Sequence, residues 1–128
     1  MTKPVKKASA STSKFITIET SQGKVVIEML PKIAPNHVKR IKELVKDKFY
    51  DGIIFHRVLE GFMAQTGDPD GVGTGGSGKN LKAEFSDYEY KSGTVGMARS
   101  MSPDSGDSQF FICFDGCSHL TGQYTVWG

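Results

Sequence analysis

Apolar and polar residues alternate over several short stretches of the chain. Residues 14–20 and 24–30 alternate on either side of a Ser-Gln-Gly turn, which predicts a β-hairpin. Runs rich in β-branched and aromatic residues predict five further short strands, at 53–59, 62–66, 94–99, 109–114 and 124–127. On strand parity, Phe55 and Arg57 share one face, and His56 faces the other way as a structural histidine.

A helical period occurs once, over residues 36–48. Four apolar residues lie there at helical spacing, with charged residues between them: Val38, Ile41, Leu44 and Val45. Asn36 is the predicted N-cap, because its side-chain oxygen can accept from a free N–H of the first turn. One helix among many short strands predicts a mainly β fold, either a barrel or a sandwich.

The 128 residues, 38% of them hydrophobic, fit one globular domain. The first 14 residues carry four lysines and no acid, and the other 114 are close to neutral. We therefore expect a disordered basic tail over residues 1–13 and a domain over 14–128. The near-neutral body does not favour a nucleic-acid surface, and no run of about 18 apolar residues indicates a membrane span. The tail lacks the apolar core of a signal peptide, so we expect a cytoplasmic location.

Two glycine-rich motifs match nucleotide-binding patterns, but the residues around them do not favour a nucleotide site. Residues 71–76 match G-x-G-x-x-G, and residues 73–80 nearly match a P-loop with Asn80 in place of the hydroxyl residue. Neither lies before a helical pattern, so an exposed loop is predicted instead of a nucleotide site.

Cys113 and Cys117 lack a second ligand pair at zinc spacing, which predicts two buried free thiols.

The stretch from residue 55 to residue 68 carries Phe-His-Arg-Val and then Gly-Phe-Met-Ala-Gln-Thr-Gly-Asp. It resembles the signature of the cyclophilin family of peptidyl-prolyl cis–trans isomerases. Further segments resemble that family in order, at 73–76, 83–85, 93–99, 108–112 and 120–128. The resemblance covers about residues 14–128. It implies an antiparallel eight-stranded β-barrel closed by a helix at each end, with the last strand and second helix missing here.

The resemblance also implies an activity and a site. The activity is rotation about X-Pro bonds in peptides and folding proteins, with no cofactor, no metal and no covalent intermediate. Arg57 and Gln65 match catalytic positions. The matching substrate-binding positions are Phe62, Met63, Ala98, Arg99, Ser100, Gln109, Phe111, Leu120 and Tyr124. The expected partners are proline-containing peptides and partly folded proteins, without nucleic acid or membrane, and the protein is expected to be a monomer.

Three positions depart from well-known family members, and one of them is Tyr124, which stands where they carry a histidine. His119 stands where they carry a tryptophan that helps to bind cyclosporin, so we expect weak cyclosporin binding. Arg99 replaces a frequent asparagine, and we expect little effect because the backbone of residues 98–100 makes the contact.

Two other functions are compatible with parts of the pattern. A proline-peptide binding module or chaperone without turnover could use the same pocket. A nucleotide-binding domain could use the glycine-rich loop. Arg57 together with Gln65 favours the enzyme.

Overall fold

The structure, a computed structural model, describes residues 5–10 and 15–128. Its elements in chain order are β1 Val5–Ala10, β2 Phe15–Thr20, β3 Gly23–Glu28, α1 Pro35–Lys46, β4 Arg57–Leu59, β5 Met63–Thr66, β6 Val95–Met97, β7 Phe110–Cys113 and a 3-10 helix, Ser118–Leu120. The predicted mainly β fold with one α-helix over this part of the chain is confirmed.

The strands form two antiparallel sheets. One has the order β1-β2-β3, and the other has the order β4-β5-β7-β6. The C-terminal residues connect them. Val126 bridges to Gly96 in β6, and the Trp127 carbonyl accepts a 2.8 Å hydrogen bond from the N–H of Leu30, after β3. The described strands do not close into one barrel, so the eight-stranded barrel stays a prediction, as do the missing strand and helix.

Part of the predicted basic tail is a strand. Residues 5–10 form β1 and pair with β2 from Ala10 opposite Ile16 to Val5 opposite Thr20. The lysine-, alanine- and serine-rich sequence there has no apolar alternation, so pattern reasoning gave no sign of it. A free sheet edge can recruit a strand through backbone hydrogen bonds alone. Residues 1–4 and 11–14 of the predicted tail and hairpin lie outside the described residues.

The predicted strand over residues 53–59 is too long, and its parity is wrong. Only β4 is a strand, and Phe55 lies in the core whereas Arg57 is exposed. The physical reason is that the residues before β4 do not join the ladder. The Thr66 hydroxyl donates to the Ile54 carbonyl at 2.8 Å instead. Similarly, predicted residues 124–127 make an isolated bridge and not a full strand.

The main core lies between α1 and the two sheets. The helix buries the apolar residues that its period predicted, Val38, Ile41, Leu44 and Val45. Ile16 and Ile18 of β2 face it, and the rings of Phe110 and Trp127 meet edge to face at 5.2 Å. Alternate burial along β2 shows the period of a strand with one face on the core.

Helix α1 begins differently from the prediction. Ala34 occupies the N-cap position without a side-chain hydrogen bond, Pro35 opens the first turn, and Asn36 lies inside the helix. The Glu84 carboxylate accepts from the backbone N–H groups of Asn36 at 3.2 Å and His37 at 2.8 Å. A carboxylate 48 residues away therefore takes the role expected of Asn36, and local sequence reasoning cannot detect such a cap.

The helix ends in a Schellman motif. The Lys48 N–H donates to the Val45 carbonyl at 3.1 Å, and the Phe49 N–H donates to the Leu44 carbonyl at 2.9 Å. Lys48 takes a φ of 60° there. This left-handed conformation favours glycine, so Lys48 carries local backbone strain.

Candidate active site

The register of the four-stranded sheet sets three side chains in one row. Arg57 of β4 pairs with Gln65 of β5, and Gln65 pairs with Phe111 of β7. Residues directly opposite each other in antiparallel strands project to the same face. A guanidinium, an amide and an aromatic ring therefore lie side by side on the face away from the main core.

The same face carries a second apolar cluster. Met63 lies two residues before Gln65 in β5, and with Phe111 it is buried there. Phe62, Leu120 and Tyr124 are half-buried against the cluster. We call these five residues the hollow: Phe62, Met63, Phe111, Leu120 and Tyr124. Met63 and Phe111 form its buried floor, and the other three side chains form a partly exposed rim.

Aromatic contacts fix the floor and one wall of the hollow. The Phe111 ring meets Tyr124 edge to face at 5.7 Å and stacks on Tyr90 at 5.7 Å. The Tyr90 hydroxyl donates to the Tyr124 carbonyl at 2.8 Å. Burial, followed by the nearby thiols, raises the pKa of Tyr90, so its hydroxyl keeps the proton that it donates. Sequence reasoning missed Tyr90, because it lies in an irregular segment without a periodic signal.

Gly96 leaves the space that Phe111 and Tyr90 occupy. It pairs with Phe111 across β6 and β7. A Cβ at Gly96 would lie 2.2 Å from the Tyr90 hydroxyl oxygen and 2.7 Å from Phe111 Cζ. Both distances are shorter than van der Waals contact, so the rings beneath the hollow require glycine here.

A polar cleft of about 490 Å³ adjoins the hollow. Its walls include Gln65, Gln109 and residues 98–100, together with the glycine-rich loop. Gln65 Nε2 donates to Gln109 Oε1 at 2.9 Å, and Gln109 Nε2 donates to the Gly75 carbonyl at 2.9 Å. This relay orients the Gln65 amide beside Arg57. The Ala98 N–H donates to the Gln109 carbonyl at 2.9 Å, which ties the start of residues 98–100 to β7.

Arg57 is exposed at the edge of this face. Across the part of the chain that the structure describes, its guanidinium makes no hydrogen bond or ion pair with protein. Its donors are therefore available to a ligand. All the predicted catalytic and substrate-binding residues lie in this row, in the hollow or along the cleft, and their individual roles stay predictions.

The glycine-rich loop is occupied by the protein's own carboxylates. Asp68 accepts from the backbone N–H groups of Asp70 at 2.8 Å and Val72 at 3.0 Å, and also from that of Gly73. Burial opposes ionisation of Asp68, but these backbone donors outweigh it and lower its pKa to about 2. The N–H groups that a phosphate would use thus already hold an anion. The geometry opposes nucleotide binding and agrees with the predicted exposed loop.

Space around Asp68 explains one of the glycines. A Cβ at Gly75 would lie 2.2 Å from Asp68 Oδ1. Further along the loop, Asp107 accepts from the backbone N–H groups of Ser77 at 2.8 Å and Gly78 at 3.0 Å. Two carboxylates therefore hold the loop that forms one wall of the cleft.

The remaining candidate groups have structural surroundings. Cys113 and Cys117 are free and buried, as predicted, and burial and then the neighbouring Cys117 raise the pKa of the Cys113 thiol. His119 stacks on Phe62 at 5.8 Å. The buried ring nitrogens of His56 have no hydrogen-bond partner within residues 5–10 and 15–128, and burial lowers its pKa.

Neither a metal cluster nor a membrane helix is found in the described residues. No three histidine, cysteine, aspartate or glutamate side chains there come together as metal ligands would. None of the helices within residues 5–10 and 15–128 combines the length and apolar character that crossing a bilayer requires.

The fold and the site define a β protein whose apolar hollow and polar cleft can receive an extended peptide. A family model described as "Cyclophilin type peptidyl-prolyl cis-trans isomerase/CLD" matches residues 15–128. The chain therefore belongs to the cyclophilin-type peptidyl-prolyl cis-trans isomerase family, and its enzymatic function is peptidyl-prolyl cis–trans isomerisation.

Curated relatives and solved structures agree. A probable peptidyl-prolyl cis-trans isomerase of Brucella suis is 47% identical over 133 residues, which cover 94% of this chain and 68% of the relative. The Helicobacter pylori (strain ATCC 700392 / 26695) enzyme is 40% identical over 126 residues, covering 97% and 77%. A Cryptosporidium parvum cyclophilin solved in the presence of the dipeptide Ala-Pro has a TM-score of 0.84 at 31% identity, covering 89% of this chain and 76% of that one.

Proposed function

We propose that the chain isomerises X-Pro bonds in peptides and folding proteins at the face formed by Arg57, Gln65 and the hollow. The carrying observation is the row in which the Arg57 guanidinium, which has no partner within residues 5–10 and 15–128, lies beside an oriented amide and a buried aromatic floor. A site of this kind can bind an apolar ring and at the same time donate hydrogen bonds to the amide next to it.

The chemistry requires no bond to the enzyme. Rotation of a prolyl amide passes through a twisted state in which resonance is lost, at a cost of about 20 kcal/mol. The prolyl nitrogen then has a free lone pair, which neither planar isomer offers. Arg57 is proposed to donate to that lone pair or to the rotating carbonyl, so that the twisted state is bound more tightly than either ground state.

The other residues are proposed to bind the substrate around this event. The five side chains of the hollow surround the proline ring, and Met63 and Phe111 form its floor. Gln65, oriented by Gln109, holds the peptide carbonyl or Arg57. The backbone of residues 98–100 binds the peptide as an added extended segment. The Ala-Pro dipeptide used with the Cryptosporidium parvum relative supports a proline-containing ligand for this chain as well.

The test is Arg57→Ala measured by exchange NMR on a proline-containing peptide. We expect turnover to fall at least tenfold, because each factor of ten needs only about 1.4 kcal/mol of differential binding. Lys39→Ala, an exposed cation on α1, is the matched control and should leave turnover unchanged.

The same NMR experiment separates the enzyme from a binding module. If the protein is only a binding module, the unmodified protein and the variant will both bind the peptide, and neither will accelerate its cis–trans exchange. Unchanged exchange in Arg57→Ala would contradict the catalytic role of Arg57.

The proposal also includes finer features of the family resemblance. The mainly β fold supports the eight-stranded barrel. His119 at the rim of the hollow, stacked on Phe62, supports weak cyclosporin binding. A monomeric, cytoplasmic protein that assists folding and does not bind nucleic acid or membranes completes the proposal. The near-neutral charge of residues 15–128 supports the part of this proposal that concerns nucleic acid.

A further inference from the structure

The Arg99 side chain joins two segments that border the site. Its Nε–H donates to the Gln123 carbonyl at 3.0 Å. Its Nη1 donates to the carbonyls of Ser100 at 2.9 Å and Met101 at 3.3 Å. Ser100 belongs to the segment of residues 98–100 that lines the cleft, and Met101 follows it directly, whereas Gln123 precedes the hollow residue Tyr124. The planar guanidinium of Arg99 therefore donates to carbonyls in both segments.

The guanidinium also packs against the wall of the hollow. Its central carbon lies 4.7 Å from the centre of the Tyr124 ring and 5.8 Å from that of Phe85. Tyr124 in turn meets Phe111 edge to face at 5.7 Å. Arg99, Tyr124 and Phe111 thus form a continuous series of contacts from the cleft to the floor of the hollow. Cation–π packing and charge-assisted hydrogen bonds hold the outer part of this series.

Backbone hydrogen bonds alone do not fix the position of residues 99–101 relative to residues 120–125. The Met97 N–H donates to the Thr125 carbonyl at 2.9 Å, before the segment begins. Ser100 is tied to Ser105, within its own loop. In the described part of the chain, residues 99–101 are hydrogen-bonded to residues 120–125 only through Arg99.

From these contacts we infer that Arg99 is a positioning residue, which holds the peptide-binding backbone of residues 98–100 at a fixed distance from the hollow. The inference rests on the proposed function. It differs from the sequence-based expectation that the Arg99 side chain matters little, because that expectation considered only the backbone contact. Without Arg99, a peptide aligned on residues 98–100 would no longer place its proline ring in register with the hollow.

The kinetic consequence differs from that of Arg57. Residues 98–100 contact the peptide away from the rotating bond, so they bind planar and twisted amides alike. Loss of such uniform binding raises KM and leaves kcat nearly unchanged, whereas loss of a contact made only in the transition state lowers kcat.

The experiment measures kcat and KM of the full chain on a proline-containing peptide, for Arg99→Ala, Arg99→Lys and the unmodified protein. We expect KM to rise roughly tenfold in Arg99→Ala with kcat within about twofold, in line with the loss of several charge-assisted contacts. Arg99→Lys should recover little of the affinity, because an ammonium group cannot donate to both segments from two nitrogens in one plane. A large recovery by lysine would show that charge alone is sufficient and would overturn the positioning geometry.

The matched control is Gln123→Ala. It keeps the backbone carbonyl that Arg99 uses and removes only a side chain that donates to the His119 carbonyl at 3.4 Å. We expect an unchanged KM. If Gln123→Ala raised KM as much as Arg99→Ala, general loosening of this loop would explain the effect and the inference would fail.

Three outcomes separate the inference from its alternatives. An unchanged KM in Arg99→Ala overturns it. A lower melting temperature and lower kcat at unchanged KM assign Arg99 a structural role, which also overturns it. If the unmodified protein binds the peptide without isomerising it, the proposed function fails, and calorimetric titration of the peptide still tests the inference: a roughly tenfold weaker affinity of Arg99→Ala supports it, and an equal affinity contradicts it.

Discussion

Phe110 and Phe111 are neighbours in β7, equally buried, and serve opposite faces of the same sheet. Phe110 is 3% exposed and packs with Trp127 and Tyr50 in the main core, beneath α1. Phe111 is 4% exposed and forms the floor of the hollow. Burial of the single residue therefore does not separate a folding role from a binding role. The two roles differ in what covers each ring. A helix and a sheet cover Phe110 in the main core, whereas only the half-buried side chains of Phe62, Leu120 and Tyr124 surround Phe111.

Truncating the two phenylalanines should separate stability from activity. We expect Phe110→Ala to lower the free energy of unfolding by about 3–5 kcal/mol, because it leaves a cavity in the closed core. Phe111→Ala should cost less stability, about 2–3 kcal/mol, because the partly exposed hollow can relax or admit water. It should also reduce peptide binding strongly, because it removes the floor of the hollow. Urea unfolding and peptide titration measure the two effects. Equal losses of stability and equal losses of binding in both variants would contradict the distinction between the two clusters.

The loop held by Asp68 extends the comparison to a region without an apolar core. Asp68→Asn places amide hydrogens against backbone N–H donors, and we expect a loss of about 1–2 kcal/mol at neutral pH. The folded pKa of about 2 lies below the ordinary 3.8, so ionised Asp68 stabilises the fold above about pH 4. That contribution disappears as the pH falls through about 2.

The difference in stability between the unmodified protein and Asp68→Asn should therefore shrink between pH 4 and pH 2. Urea unfolding at several pH values measures it. Asp87→Asn, on an exposed residue, is the control and should show no such dependence. A constant difference down to pH 2 would contradict the role given to the ionised Asp68.

The smallest effect is expected at the end of α1, on the side of the main core. Lys48→Gly relieves the left-handed strain at φ 60°, and the gain is partly offset by the greater freedom of glycine in the unfolded chain. We expect a stabilisation of about 0.5–1 kcal/mol with unchanged kcat and KM. Thermal unfolding and the isomerase assay measure both. Lys46→Gly, at the last residue of the helix, should instead destabilise the protein.

Much of the fold was predictable because it rests on local periodicity. The helix, the hairpin and the strands β5 to β7 agree with the predicted elements to within a few residues. The helix and the hairpin show an apolar period, and the three strands lie in runs rich in β-branched and aromatic residues. Strand β1 and the start of β4 were not predictable in this way. Their ends depend on which backbone groups find a partner strand, and that is decided after the sheet has assembled.

The site divides in the same manner. The signature run identified Arg57, Phe62, Met63 and Gln65, and the structure places Met63 and Gln65 on one face of β5. Tyr90 beneath the hollow, Glu84 at the start of α1 and the ties of the Arg99 side chain gave no sequence signal. Each acts on partners far along the chain or on backbone carbonyls, which carry no residue identity.

The order of amino acids by itself determined the family, helix α1 and the residue types from which an isomerase site can be built. Only the tertiary structure decided that Arg57, Gln65 and Phe111 stand in one row, that Asp68 occupies its own loop, and that Arg99 spans the cleft and the hollow. The physical reason is that periodicity depends on neighbouring residues, whereas register, long-range caps and side-chain ties depend on which distant groups the folded chain brings within hydrogen-bonding distance.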